Sequence, residues 1–176
     1  NPRLIGAYPT LNGGMLFTFG FDQEWADYEI NSVVGRQRNE QDARGLYGQG
    51  VFPIFPRTTL TLGARRASVR NDLIDDFTFP AGIEINDSAI VSEQGLNFRA
   101  TDNWRMFVRR DENARFAKVD EYTNPAPGVV LKTQLGRSYE TGIEWNHTGH
   151  SAKALFYRLD LDDEIAFAPG AGAFGL

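Results

Sequence analysis

Few of the side chains that could do chemistry stand at the spacing that a reaction needs. The two histidines, His147 and His150, flank a turn glycine without a third ligand nearby, so they make a poor zinc site. Ser151 follows His150 directly, and neighbours on a strand point to opposite faces, so the two cannot act as a catalytic pair. Glu140 and Glu144 share a strand face but lie about 13 Å apart along it, too far for the paired carboxylates of a glycosidase. We therefore expect no catalytic residue, no metal ligand and no cofactor, and the chain does not read as an enzyme.

The composition excludes several classes of partner and architecture. The net charge is -5, with 18 basic residues scattered among 23 acidic ones, so nucleic-acid binding is not expected. The chain has no cysteine and hence neither disulfides nor thiolate metal sites. It contains no apolar run of about 18 residues, which excludes a membrane helix. A membrane-spanning barrel remains open, because its strands alternate and keep the mean hydropathy low, here -0.38.

The elements that position these side chains are strands, because the hydrophobic pattern has a period of two. Tyr139, Thr141, Ile143 and Trp145 fall on one side of an extended chain, and the intervening residues fall on the other. After a tight turn, Lys153–Asp163 alternates again over about the 9 to 11 residues that cross a bilayer as a tilted strand. The segment predicts a hairpin that either a membrane barrel or a water-soluble sheet could contain.

The same pattern recurs along the chain and predicts an all-β, antiparallel up-and-down meander. The other predicted strands are Met15–Glu24, Gly45–Phe52, Thr58–Arg70, Ser88–Ala100 and one that begins at Trp104, with Arg3–Tyr8 as the tail of an earlier strand. Short turns are expected to alternate with three long, polar loops, Asn31–Ala43, Asn71–Asp87 and Asp111–Gly136. A barrel in an outer membrane has short periplasmic turns and long external loops, which favours a barrel over a soluble β-sandwich.

Four segments carry a family resemblance that is more specific than this periodicity. They are GLYGQGVFPIFPRTTLTLGARR (45–66), WRMFVRRDENARFAKVDEY (104–122), LKTQLGRSYETGIEWN (131–146) and AKALFYRLDLDDEIAF (152–167). Each resembles a barrel segment of the TonB-dependent outer-membrane receptors of the siderophore type. Two departures stand out: Lys118 occupies a place where the family usually has proline, and Thr133-Gln134 replaces the usual Pro-Glu.

This resemblance implies that residues 1–176 form about seven to eight strands of a barrel of roughly 22. The family's plug domain, TonB box and closing strands are expected to lie outside this sequence. The resemblance further implies a receptor in the bacterial outer membrane that takes up a ferric siderophore or a similar nutrient complex, with TonB and membrane lipid as partners. The alternatives are a soluble β-sheet module that binds carbohydrate or protein, and a small complete outer-membrane barrel of about eight strands.

In such a barrel the apolar strand faces contact lipid and the polar faces line the lumen. We expect Phe17, Phe19, Leu60, Leu62, Leu155, Tyr157, Leu159 and Leu161 on the lipid side. Because a charge on that side costs about 2–4 kcal/mol at the midplane, the arginines expected to face the lumen are Arg65, Arg99, Arg105, Arg109 and Arg158. Arg66, Arg110 and Lys153 are expected beyond the apolar band or at its edge.

The candidate site follows from this arrangement. Guanidinium groups can hold the carboxylates of a plug, or an anionic ligand, through paired hydrogen bonds. We expect ligand or plug contacts from Arg109, Arg110 and Arg115 at the top of one strand, with Tyr122 and Trp25 as aromatic candidates. The competing interpretation is that these arginines pair with aspartate and glutamate on neighbouring strands.

Overall fold

One antiparallel sheet accounts for the architecture. The structure, a computed structural model, describes residues 1–32, 35–77, 79–118, 121 and 131–165. Each strand pairs with the next along the chain, so the order in the eight-stranded sheet is the order in the sequence, which confirms the predicted meander. The strands are β1 Arg3–Thr10, β2 Gly13–Ser32, β3 Gly35–Phe55, β4 Thr58–Asp75, β5 Phe79–Arg99, β6 Trp104–Arg115, β7 Gln134–His147 and β8 His150–Asp162. Among the described residues, no helix is long and apolar enough to cross a membrane.

Two of the three predicted long loops are wrong. Asn31–Ala43 lies almost wholly in strand, because β2 and β3 remain paired up to the Ser32–Gly35 pair. Asn71–Asp87 is likewise the far end of the β4–β5 hairpin. Their polar composition predicts loop, but in the structure the polar residues alternate along paired strands. Cross-strand ion pairs, such as Arg70 Nη2 with Glu84 Oε2 at 2.8 Å, suit a hairpin that stands in water. We call the ends of β2, β3, β4 and β5 that lie away from the short turns the rim; it includes most of Asn31–Ala43 and Asn71–Asp87.

The third predicted loop, Asp111–Gly136, is shorter at both ends than expected, because β6 continues to Arg115 and β7 begins at Gln134. Positions 119, 120 and 122–130 of this connection lie outside the described residues, whereas Ala117 and Thr133 contact the β4–β5 hairpin. Ala117 is buried against Leu73 and Ile85, which form the core cluster of the described residues. Thr133 donates hydrogen bonds from its backbone N–H, at 3.2 Å, and from its hydroxyl to Asp87 Oδ2. The buried core therefore lies beneath this connection, at the rim.

Strand register assigns every side chain to one of two faces, because directly opposed residues project to the same side. We call one side the outer face; it carries Phe19, Leu62, Leu96, Met106 and Ile143. We call the other the inner face; it carries Gln49, Thr61, Glu93, Arg109 and Glu140. The predicted inward placement of Arg65, Arg99, Arg105 and Arg109 is correct on this register.

The predicted phase of β8 is wrong. Ala154 lies opposite Ile143 and Arg158 opposite Tyr139, so Arg158 belongs to the outer face. Leu155, Tyr157, Leu159 and Leu161 lie on the inner face, and so does Lys153 opposite Glu144. The turn explains the error: Thr148 and Gly149 have φ of 26° and 81°, a two-residue hairpin that pairs His147 with His150 and sets the parity of the strand. Both faces of β8 carry apolar side chains, so the sequence pattern alone left that parity undetermined.

The sheet is a single open layer. Its edges are β1 and β8, which do not pair with each other, so a closed barrel of eight strands is excluded. On the outer face Phe19 is 54% exposed and Leu62 43% exposed. No second sheet covers that face within the described residues, which removes the β-sandwich interpretation for this part of the chain.

Candidate functional site

The inner face forms a polar groove of about 390 Å³ between the rim and the short turns. Strands β3 to β8 all contribute side chains, because the register brings alternate residues of each strand to this side. The charged and amide residues in its lining are Gln49, Glu93, Gln94, Asn97, Arg105, Arg109, Glu140, Glu144 and Lys153.

Glu144 lies at the centre of the lower half of this groove, the half nearer the short turns. Its side chain is 17% exposed and accepts bonds from Arg105 on β6 and from Lys153 on β8, whose Nζ lies 3.3 Å from Oε1. The Lys153 ammonium also stands 5.1 Å from the centre of the Phe107 ring, a cation–π contact. The predicted place of Lys153, at the edge of the apolar band, is wrong. Lys153 lies on the inner face, where the Glu144 carboxylate balances its charge.

Arg109 occupies the upper half. Its Nε lies 2.6 Å from Asp111 Oδ2, and its Nη2 lies 3.6 Å from Glu93 Oε2. The Gln49 amide donates to the same glutamate. The guanidinium is thus held by two carboxylates of the wall itself, while half of its side chain stays exposed to the groove.

The four predicted contact residues that the structure describes do not meet at one place. Arg109 and Arg115 share the inner face, where Arg115 bonds to Glu121 and keeps a buried Nη1 without a partner in the described structure. Arg110 points to the outer face and lies 2.6 Å from Glu112 Oε1. Trp25 is also on the outer face, opposite Asp42 and 71% exposed. Tyr122 lies outside the described residues. All three arginines have carboxylate neighbours. Among the described residues, however, only Arg109 pairs with a carboxylate on a neighbouring strand, Glu93, so the competing interpretation fits Arg109 alone.

Sequence reasoning missed a cluster of amides on the inner face near the rim. Gln41 Nε2 donates to Asn71 Oδ1 at 2.8 Å, and Asn39 Nδ2 approaches the same oxygen at 3.5 Å. Asn39, Asn71 and Gln37 are buried, and both polar atoms of the Gln37 amide have no partner among the described residues. The signal was present as amides at alternate positions 37, 39 and 41, but it fell within a predicted loop.

The outer surface of the rim carries carboxylates held by nearby donors. Hydrogen bonds from the Arg44 guanidinium lower the pKa of Asp42. The Asn31 amide and then the charge of Arg36 lower the pKa of Glu29. Both carboxylates stay ionised in mildly acidic solution, so the rim remains a charged, hydrated surface.

The histidines stand together at the β7–β8 turn, where His147 Nδ1 lies 3.3 Å from the Asn103 amide nitrogen. No group of three or more His, Asp or Glu side chains suited to a metal ion occurs in the described ranges.

The geometry defines a class of protein. A one-layer meander with an exposed apolar outer face, a polar inner face and two open edges is a segment of the wall of a transmembrane β-barrel. Trp104 and Trp145 pack with ring centres 6.4 Å apart on the outer face at the short-turn end, where such walls carry interfacial aromatics.

Comparison with known proteins gives the family. The model for the TonB-dependent receptor-like β-barrel matches residues 4–176, and the chain belongs to that family. Among solved structures, the alcaligin outer-membrane receptor FauA from Bordetella pertussis is similar over 96% of this chain and 30% of its own, with 14% identity and a TM-score of 0.73. The ferric yersiniabactin uptake receptor FyuA from Yersinia pestis is similar over 92% of this chain and 28% of its own, with 14% identity and a TM-score of 0.63. The chain thus spans less than a third of the length of either receptor. No curated protein matches the sequence.

Proposed function

We propose that residues 1–176 are part of the barrel wall of an outer-membrane receptor that takes up a ferric siderophore or a similar nutrient complex. The plug domain, through which TonB would act, is proposed to lie outside this sequence. The observation that carries the proposal is the charged groove on the inner face of a sheet whose outer face is apolar. The family membership supports a receptor, and one of the two similar structures is named as an uptake receptor for a ferric complex.

The proposed contacts to ligand or plug come from the inner face. Arg109 keeps about half of its side chain exposed, with relative exposure 52%, and projects into the groove, so it can exchange a wall carboxylate for one on an incoming group. Arg115 stands six residues further toward the rim on the same face, and its Nη1 has no hydrogen-bond partner among the described residues. The Gln37 amide, which has no partner among the described residues, adds a neutral donor and acceptor elsewhere on the inner face of the rim.

The uptake proposal is tested in the bacterium that carries the full-length gene. Uptake of radioactive iron is measured with a panel of ferric siderophores, in the parent strain and in strains lacking either the receptor gene or TonB. We expect one complex whose uptake is lost in both deletions. Unchanged uptake of every complex after deletion of the receptor gene would overturn the assignment of iron transport.

Residue roles are tested on the full-length receptor with matched variants from one strand. Arg109→Gln combined with Arg115→Gln removes two inner-face cations, and Arg110→Gln removes a cation from the outer face. Loss of a charge-assisted hydrogen bond of about 1.5–3 kcal/mol predicts at least a tenfold weaker ligand affinity for the double variant. Arg110→Gln is expected to change the affinity less than twofold. Equal affinities for all three proteins would refute the proposed inner-face contacts.

A further inference from the structure

A second groove on the inner face lies beside the short turns. It has a volume of about 430 Å³ and opens where β3, β4, β5 and β6 meet their turns. We call it the turn-side groove. The charged residues in its described lining are all arginines, namely Arg57, Arg99 and Arg105. Neither aspartate nor glutamate occurs in that lining.

The charge of the turn-side groove contrasts with that of the rest of the wall. The larger polar groove above it balances its basic residues with an equal number of acidic ones. The whole chain has a net charge of -5. An arginine-only lining is therefore a local excess of positive charge on the face that meets water. A concave surface of one sign of charge raises the local concentration of the opposite ion, here an anion.

Arg99 and Arg105 lie directly opposite each other across β5 and β6. Like charges in that relation destabilise a sheet. Arg105 is neutralised by Glu144. Arg99 is exposed, and its side chain has neither an ion pair nor a hydrogen bond with any described residue. Arg99 is therefore the cation of this pair whose charge the described wall leaves uncompensated.

Arg57, in the β3–β4 turn, is held beside Arg99 by two hydrogen bonds. Its backbone carbonyl accepts from the Arg99 N–H at 2.8 Å, and its Nη1 donates to the Ala100 carbonyl oxygen at 2.9 Å. Its acidic neighbour is Asp102, whose side chain is 92% exposed and whose Oδ1 lies 3.7 Å from Arg57 Nη2. A long ion pair that stands in water contributes little, so the Arg57 guanidinium can still bind another anion.

We propose that the turn-side groove binds a small oxyanion that carries carboxylate or phosphate groups. The guanidinium groups of Arg99 and Arg57 each match such a group through two parallel hydrogen bonds. The bound anion also offsets the repulsion between Arg99 and Arg105. The short turns of an outer-membrane barrel face the periplasm, so the anion reaches the groove from that side. This inference goes beyond the proposed uptake, and binding to the purified receptor is measured separately from transport.

The experiment is isothermal titration calorimetry on the purified full-length receptor, in an uncharged detergent at low ionic strength. The probes are tricarballylate, which carries three carboxylates, inorganic phosphate, and the uncharged trimethyl ester of tricarballylate. The test variants are Arg99→Gln, Arg99→Lys and Arg57→Gln. The matched control is Arg65→Gln, which removes a cation from the inner face outside the turn-side groove, where Arg65 Nη2 lies 3.4 Å from Asp22 Oδ2.

We expect Arg99→Gln to weaken tricarballylate binding about tenfold, since one charge-assisted contact is lost. Arg99→Lys is expected to recover part of the affinity, because lysine keeps the charge but not the paired donors. Arg57→Gln should lose several-fold and tests the groove independently if Arg99→Gln fails to fold, whereas Arg65→Gln should stay within twofold. The proposal would be overturned if neither anion binds the parent receptor, if the ester binds as well as tricarballylate, or if Arg99→Gln and Arg65→Gln lose equally.

Discussion

A charge placed at Leu62 tests what the outer face contacts. Leu62 is the fifth residue of β4, between Leu60 and Ala64 on the outer face, and its side chain is 43% exposed. A guanidinium at the middle of a lipid-facing band costs about 2–4 kcal/mol. Leu62→Arg should therefore lower the folding equilibrium constant by roughly 30-fold to several hundred-fold. Thr61 is its neighbour on the same strand but lies on the inner face. Thr61→Arg should cost less than about 1 kcal/mol, because a charge on a water-exposed surface usually changes stability little.

The assay is urea titration of the full-length receptor refolded into lipid vesicles, followed by tryptophan fluorescence. The measured quantity is the difference in free energy of unfolding between each variant and the parent protein. The two variants share a strand, a depth and an introduced side chain, so only the face differs. Equal losses, or a larger loss for Thr61→Arg, would show that hydrocarbon does not contact the Leu62 side, and the barrel interpretation of this face would fail.

Three further predictions, two of them with a matched control variant, test the sheet and the inner groove. A methyl group at Gly142 would lie 2.7 Å from a backbone oxygen of β8, so Gly142→Ala should lower the free energy of unfolding by about 1–3 kcal/mol. Gly6→Ala, with nothing within 4 Å of the added carbon, should leave the urea midpoint unchanged. Thr133→Val removes a hydroxyl bond that fastens the β6–β7 connection, so limited proteolysis should cut there faster; an unchanged rate would contradict the anchoring role. Glu144→Gln leaves two cations without their counter-charge and should cost more stability in the urea assay than Glu140→Gln, because Glu140 has no direct ion pair with any described residue. The reverse order would disprove the central position of Glu144.

Alternation alone predicted much of the wall. Over residues 17–22 of β2 and 59–65 of β4 only one face is apolar, with Phe17 and Phe19 on the one strand and Leu60 and Leu62 on the other. In these parts period two determined both the strands and the side that meets lipid. Short turn sequences made consecutive strands antiparallel neighbours. The inward placement of Arg65, Arg105 and Arg109 followed from the same phase, because a charge in hydrocarbon is too costly to tolerate.

The rim and the last strand needed tertiary structure. Polar stretches such as Asn31–Ala43 read as loop because water satisfies polar side chains in a loop and in an exposed hairpin equally well. Only pairing with the adjacent strand distinguishes the two states. On β8, Ala154 and Phe156 lie on one face and Leu155 and Tyr157 on the other, so hydrophobicity does not decide which face turns outward. The two-residue turn before β8 decided it instead.

The sequence by itself determined the class of the fold, the antiparallel order of the strands and, for strands with one apolar face, the side that contacts lipid. A strand between hydrocarbon and water must alternate apolar and polar residues, and that alternation is visible in the sequence. Which charges meet was decided by register across the sheet. The bridge from Arg105 through Glu144 to Lys153 joins three strands, two of them separated by the β6–β7 connection, and no local pattern encodes that contact. Cross-strand distances depend on the parity of every turn between the partners, and that parity exists only in the folded sheet.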